Sequence, residues 1–251
     1  MALKQASGYA LRTRPLGEAD LIVDFYTREH GRVRAVAKSA RRIKSRFGSA
    51  FEPFTRSRIV YFQRDKDDLG RVSSCELERS YFEALGRPEE ATLAAYLAEL
   101  IIGFAPEHDA SPTLYRLIGA CFDSLEVDGA PDVLMRYFEV WMLRLSGLLP
   151  GVEECSNCGQ KLGSDVWVSD VTLGFLCGRT CGQVVGRSRL APAAQDLLVA
   201  ILRNAPGRLV AQHPDPAAVR GLGAVTRVLI VGHLDRTPRS LRVMQRLRRR
   251  C

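Results

Sequence analysis

Along residues 7–77 lie short runs of β-forming residues, one of them with apolar and polar positions alternating at a period of two, the pattern of a strand that buries one face. The runs GYALRTR (8–14), LIVDFYT (21–27) and RVRAVAK (32–38) are rich in β-formers. In the last of them Val33, Ala35 and Ala37 alternate with Arg32, Arg34 and Lys38. Between the second and third lies REHG, a short hairpin connection with Gly31 available for a positive φ. RIVYFQ (58–63) and RVSSCEL (71–77) read as another pair across RDKDDLG. Five short strands in this space predict a small antiparallel barrel, with an OB-fold as the leading form and an SH3-like barrel as the alternative.

Near residue 78 the period changes to that of helices. RPEEATLAAYLAELIIGFAP carries Pro88 and acidic residues in its first turn, both favourable at a helix N-terminus. SPTLYRLIGACFDSLEVDG carries an apolar stripe of Leu114, Leu117, Ile118, Cys121, Phe122 and Leu125. APDVLMRYFEVWMLRLSGLLPG repeats the pattern with Leu134, Tyr137, Phe138, Trp141, Met142 and Leu145. Two or three further helices are predicted over 191–207 and 215–250. The expected class is α+β and multidomain: an N-terminal OB-fold β-barrel over 1–79, then an all-α helical domain over 80–251 with an inserted zinc-binding element at 152–187.

Charge adds a second layer. Residues 1–80 hold 17 Lys and Arg against 10 Asp and Glu, residues 81–154 hold 4 against 13, and residues 155–251 hold 15 against 5. Two basic ends therefore flank an acidic middle, which suggests an anionic partner, most often nucleic acid, with a well-solvated surface as the plain alternative. No run approaches 18 consecutive apolar residues, so no transmembrane helix is expected. The start, MALKQASGYALRTRP, lacks an apolar core, so a secretory signal is not expected and a reducing cytoplasm is the default compartment.

Four of the seven cysteines fall in CSNCGQKLGSDVWVSDVTLGFLCGRTC, as Cys155-x2-Cys158 and Cys177-x3-Cys181. Paired cysteines on tight turns supply two corners each of a thiolate tetrahedron, and the glycines at 159, 178 and 182 relax those turns. DVWVSDVTLGFLC reads as a hairpin that brings the pairs together. The expectation is one structural Zn2+ per chain. Four protein ligands leave no position for an activated water, and none of His30, His108, His213 and His233 has Glu two residues later, as a zinc deaminase needs. Cys75 and Cys121 read as buried thiols and Cys251 as an exposed terminal one.

No Gly-Lys pair exists, which removes the Walker phosphate loop. GLGAVT (221–226) lacks the third glycine of a dinucleotide fingerprint and reads as close helix packing. No catalytic constellation is visible, and the chain is not expected to be an enzyme. From Arg28 to Gly48 the chain carries eight cations and one acid, Glu29. Arg32, Arg34 and Lys38 on a strand, continued by Arg41, Arg42, Lys44 and Arg46 on a loop, form a string suited to tracking phosphates. Tyr9, Phe25, Tyr26, Phe47 and Phe51 are candidates for stacking on bases or for filling the barrel.

GYALRTRPLGEADLIVDFYTREHGRVRAVAKSARRIKSRFGSAFEPF at the start and LRLSGLLPGVEECSNCG before the metal segment together resemble the bacterial recombination-repair RecO family. The order of barrel, helical domain and zinc element matches as well, over nearly the whole chain. The resemblance implies a non-enzymatic mediator of DNA repair that binds single- and double-stranded DNA and anneals complementary strands. It further implies partnership with RecR and with the acidic C-terminal tail of single-strand binding protein, in loading RecA on coated DNA at the bacterial nucleoid, with no membrane. For that tail the basic helical end offers Arg227, Arg236, Arg239 and Arg242, beside apolar Val228, Leu229, Leu234 and Leu241; a solvated rim is the alternative. An RNA-binding OB protein and a zinc-stabilised protein–protein adaptor are the other classes that fit the residues.

Overall fold

The structure is a computed structural model and describes residues 2–64, 69–169, 173–178, 181–182 and 188–248. The middle of the RDKDDLG connection, residues 170–172 of the hairpin between the cysteine pairs, residues 183–187 of the zinc element and Cys251 lie outside the described residues. By compactness the chain divides into Met1–Phe122 with Val243–Cys251, and Asp123–Arg242.

The first unit is built on five strands, β1 (Ala2–Leu16), β2 (Asp20–Thr27), β3 (Gly31–Ala37), β4 (Arg56–Gln63) and β5 (Gly70–Arg79). They close on themselves in the order β1-β2-β3-β5-β4. Strand β1 is long enough to pair with β4 through Ala2–Tyr9 and with β2 through Gly8–Leu16, so one strand serves two edges. The expectation of a purely antiparallel barrel needs one correction. Strands β3 and β5 meet in parallel, Ala35 opposite Gly70 and Val36 opposite Arg71. That single parallel ladder closes the ring and leaves no open edge there.

Alternation in β3 works as its sequence requires: Val33, Ala35 and Ala37 are buried and Arg32, Arg34 and Val36 lie outward. The inward set packs with Phe25, Ile59, Tyr61 and Val72. Phe47, Ala50 and Phe51, from the connection between β3 and β4, complete this core, with Phe51 placed 4.9 Å from Phe47 and 5.9 Å from Phe25 between ring centroids. At the β2–β3 turn Gly31 has φ +62, and a Cβ there would lie 2.1 Å from the Asp109 carbonyl oxygen. Only glycine fits. The unit extends past β5 because helices α1 (Pro88–Phe104) and α2 (Pro112–Asp128) supply apolar partners: α1 packs on β1, and Phe122 stacks on Phe54 at 4.2 Å.

The second unit holds α3 (Pro131–Leu145), a sheet of β6 (Val166–Val168), β7 (Phe175–Cys177) and β8 (Ser188–Leu190) in the order β7-β6-β8, and the helices α4 (Pro192–Arg203), α5 (Pro206–Ala211) and α6 (Pro216–Leu234). Helix α7 (Arg239–Arg248) begins at its end. Every one of α3–α6 opens on proline, which has no N–H to lose at a first helical position. GLGAVT lies on α6 at the α3 contact. A Cβ on Gly223 would meet the Arg136 guanidinium at 2.2 Å, so the missing side chain makes room for that cation. Arg136 Nη1 then pairs with Glu139 Oε2 at 2.8 Å, and Thr226 donates to the same oxygen at 2.5 Å. By length and composition alone α6 is apolar enough to cross a membrane, although Arg220 and Arg227 interrupt its apolar run. Its apolar residues instead pack on α3 and α4, burying Val219, Leu222, Val225, Leu229 and Ile230.

Candidate functional site

Two features carry chemistry, each built inside one unit. The first is the cysteine cluster. The first pair sits on a tight turn in which Gly159 N–H donates to the Cys155 carbonyl at 2.9 Å. The second pair begins at the last residue of β7, which pairs with β6 through Cys177 and Val166. Ser156 N–H donates to the Phe175 carbonyl at 2.8 Å, stitching the first turn to β7. The result brings Cys155, Cys158, Cys177 and Cys181 together with all four Sγ atoms within 4.8 Å of one another, and Cys158 and Cys177 3.7 Å apart. A tetrahedral ion with metal–sulfur bonds of about 2.3 Å needs sulfur–sulfur edges of about 3.8 Å, so the set fits one metal ion. The three-residue gap before Cys181 is accommodated.

Second contacts tune the sulfurs. Cys177 N–H points at Cys155 Sγ at 3.3 Å, and Asn157 Nδ2 donates to Cys181 Sγ at 3.3 Å. Burial pushes the Cys155 thiol up, but N–H groups of Cys177, Asn157 and Cys158 outweigh it and the net direction is down. Cys158 goes the other way, up to about 12: the Gln160 N–H favours its thiolate, but the neighbouring sulfurs and burial outweigh that. Crowded thiolates of this kind are relieved by a cation. Leu176, Leu162 and Trp167 pack with the buried Cys155, Cys177 and Cys181, whereas Cys158 is exposed. Cys75 and Cys121 are apart from it; burial pushes Cys75 up to about 11 and Cys121 further, which makes both poor nucleophiles.

The second feature is the basic surface of the barrel. Three pairs of strand arginines, each spaced by two, share one carboxylate apiece. Arg12 and Arg14 meet Asp24 at 3.2 and 3.4 Å. Arg56 and Arg58 meet Glu78 at 3.4 and 3.7 Å. Arg32 and Arg34 meet Glu107 at 3.1 and 3.0 Å, and Arg32 Nε also donates to the Ala105 carbonyl at 3.1 Å. These six strand arginines are therefore half-neutralised within the fold, and Glu107, about 70 residues away in sequence, was not visible as the partner of Arg32 and Arg34.

The loop after β3 differs. Lys38, Arg41, Arg42, Lys44 and Arg46 are all exposed, and no carboxylate pairs with them among the described residues. Lys38 lies one residue beyond the end of β3, so it belongs with the loop and not with the strand face of Arg32 and Arg34. Arg41 Nη1 donates to the carbonyls of Gly17 and Glu18, both at 3.1 Å, and Arg46 rests over the Phe47 ring at 4.9 Å. The aromatic candidates are not available for stacking, because all five are buried: Phe25, Phe47 and Phe51 fill the barrel core, Tyr9 packs on Tyr115, and the Tyr26 hydroxyl accepts from Ser111 N–H at 3.1 Å. On the helical end, Arg227, Arg236, Arg239 and Arg242 are exposed, whereas Leu229 and Leu241 beside them are core residues.

Comparison with known proteins covers both units of the chain. The family model for the N-terminal part of recombination protein O matches residues 1–81, and that for its C-terminal part matches residues 86–242. The chain is 35% identical to the DNA repair protein RecO of Koribacter versatilis over 175 residues, 70% of this chain and 71% of that protein. It is 33% identical to RecO of Anaeromyxobacter sp. (strain K) over 213 residues, 84% and 83% of the two chains. With RecO of Streptomyces griseus it shares 31% identity over 255 residues, 98% of this chain and all of the other. A β-sheet unit carrying a basic loop, a helical unit carrying a four-cysteine cluster and matches across both halves place this chain in the RecO family of bacterial DNA repair and recombination proteins.

Proposed function

We propose that this chain is a non-enzymatic recombination mediator whose barrel, residues 1–79, is an OB-fold that binds single- and double-stranded DNA. The observation that carries the reading is the contrast between strand and loop. Six strand arginines are shared with Asp24, Glu78 and Glu107, whereas the loop from Lys38 to Arg46 projects five exposed cations whose side chains pair with no carboxylate among the described residues. Such a loop takes up phosphates without first breaking an ion pair. Binding through phosphates is indifferent to sequence, as annealing of arbitrary complementary strands requires.

The four cysteines hold one structural Zn2+. Zinc suits a closed set of four thiolates and supplies folding free energy, about 10–16 kcal/mol in small zinc peptides. With its coordination shell filled by protein, the ion takes no part in chemistry. It fixes the turn at Cys155 against β7. The chain acts with RecR and with single-strand binding protein, whose acidic tail would meet Arg227, Arg236, Arg239 and Arg242, to help load RecA on coated DNA in the bacterial cytoplasm. An annealing assay on complementary strands coated with single-strand binding protein, with and without RecR, tests the reading. Annealing is expected with both; failure to anneal even naked strands would overturn it.

A further inference from the structure

With the barrel aromatics buried, the basic loop carries one large apolar side chain in the open: Ile43 is fully exposed. Its backbone is held. Ser45 N–H donates to the Arg42 carbonyl at 2.9 Å and closes a turn with Ile43 and Lys44 at its two central positions. On one side Arg41 is tied to the barrel by its N–H to the Ala19 carbonyl at 2.9 Å and by its guanidinium to Gly17 and Glu18. On the other side Phe47 is sunk in the barrel core. A turn anchored at both ends thus presents an isoleucine between Arg42 and Lys44.

We propose that Ile43 is a base-contacting wedge: when flanking cations hold the phosphates of a single strand, its side chain packs against the face of an unpaired base. The proposal rests on the DNA-binding reading above and names what that loop touches besides phosphate. The chemistry fits nucleic acid because the apolar side chain stands between two exposed cations, Arg42 and Lys44. Apolar side chains inserted beside bases are a recurrent device, and every base has an apolar face, so the contact is tolerant of sequence. Opening bases to solvent side by side also serves annealing, since it leaves their pairing edges free.

Phosphate and base contributions separate by salt. Binding of the full chain to a poly-dT oligonucleotide, measured across salt concentrations, gives a log–log slope that counts phosphate contacts and an intercept at high salt that reports the rest. Replacing Ile43 by Ala should shift the whole line down by about tenfold with its slope unchanged, the size expected from losing about two buried methylene equivalents. On an abasic strand of equal length the variant and the wild type should bind alike. Coincident lines on poly-dT, or an equal loss on the abasic strand, would overturn the wedge. Replacing Lys38, Arg42 and Lys44 by Ala tests the underlying reading separately: if that variant changes the slope while Ile43→Ala changes nothing, the loop binds DNA and the wedge is wrong. If neither changes anything, both readings fall.

Discussion

Arg34 donates from Nη2 to Glu107 Oε2 at 3.3 Å and holds its Nε 3.0 Å from Oε1 as an ion pair, and Arg32 shares the same carboxylate. The acid sits where a phosphate would sit if these arginines faced DNA. Replacing Glu107 by Gln should release both guanidiniums. For single strands each added phosphate contact steepens the salt slope by about 0.7, so two give a change of about 1.4 with higher affinity at low salt. An unchanged slope would mean that Arg32 and Arg34 serve the fold alone.

The metal site predicts a selective loss. Cys155→Ser and Cys177→Ser remove one ligand from each pair. Purified variants should lose about one zinc per chain by elemental analysis and unfold at a lower temperature. Their DNA salt slope should match the wild type, because the basic loop lies on the barrel. Full zinc occupancy in either variant would rule out the four-cysteine assignment.

A buried pair on α3 makes a third test. Arg136 and Glu139 meet at 2.8 Å with both side chains nearly inaccessible. Glu139→Leu leaves the guanidinium without its carboxylate and should cost about 3–5 kcal/mol in chemical denaturation. Adding Arg136→Met removes the orphaned charge and should recover most of that loss. A double variant no more stable than the single one would show that the pair is not what the site requires.

The barrel was legible because alternation is a local signal: Val33, Ala35 and Ala37 point inward wherever the rest of the chain goes. Cysteine spacing was equally direct, since two short pairs can close on one ion with a single hairpin between them. Long-range partners were not legible. Nothing near β3 announces Glu107, and nothing near Val166 announces that β8 pairs on its other side. The start of β1 was missed because none of Ala2–Gln5 is buried, so no apolar face marks the segment, and its strand character is set by pairing to Phe62 and Tyr61. Volume decided the aromatics. A barrel lined by Ala6, Ala10, Ala35 and Ala37 needs large rings to fill it, and Phe25, Phe47 and Phe51 do so.

The loop is the centre of the functional account, and its charge is directly measurable. The side chains of Lys38, Arg42 and Lys44 are exposed, and among the described residues neither a carboxylate nor a backbone carbonyl ties them down. If all three neutralise phosphates, replacing them together by alanine should make the single-strand salt slope shallower by about 2. Affinity should fall alike for unrelated sequences, annealing should fail, and zinc content and melting temperature should stay near the wild type. A triple variant that binds and anneals as the wild type does, on an unchanged slope, would contradict the account.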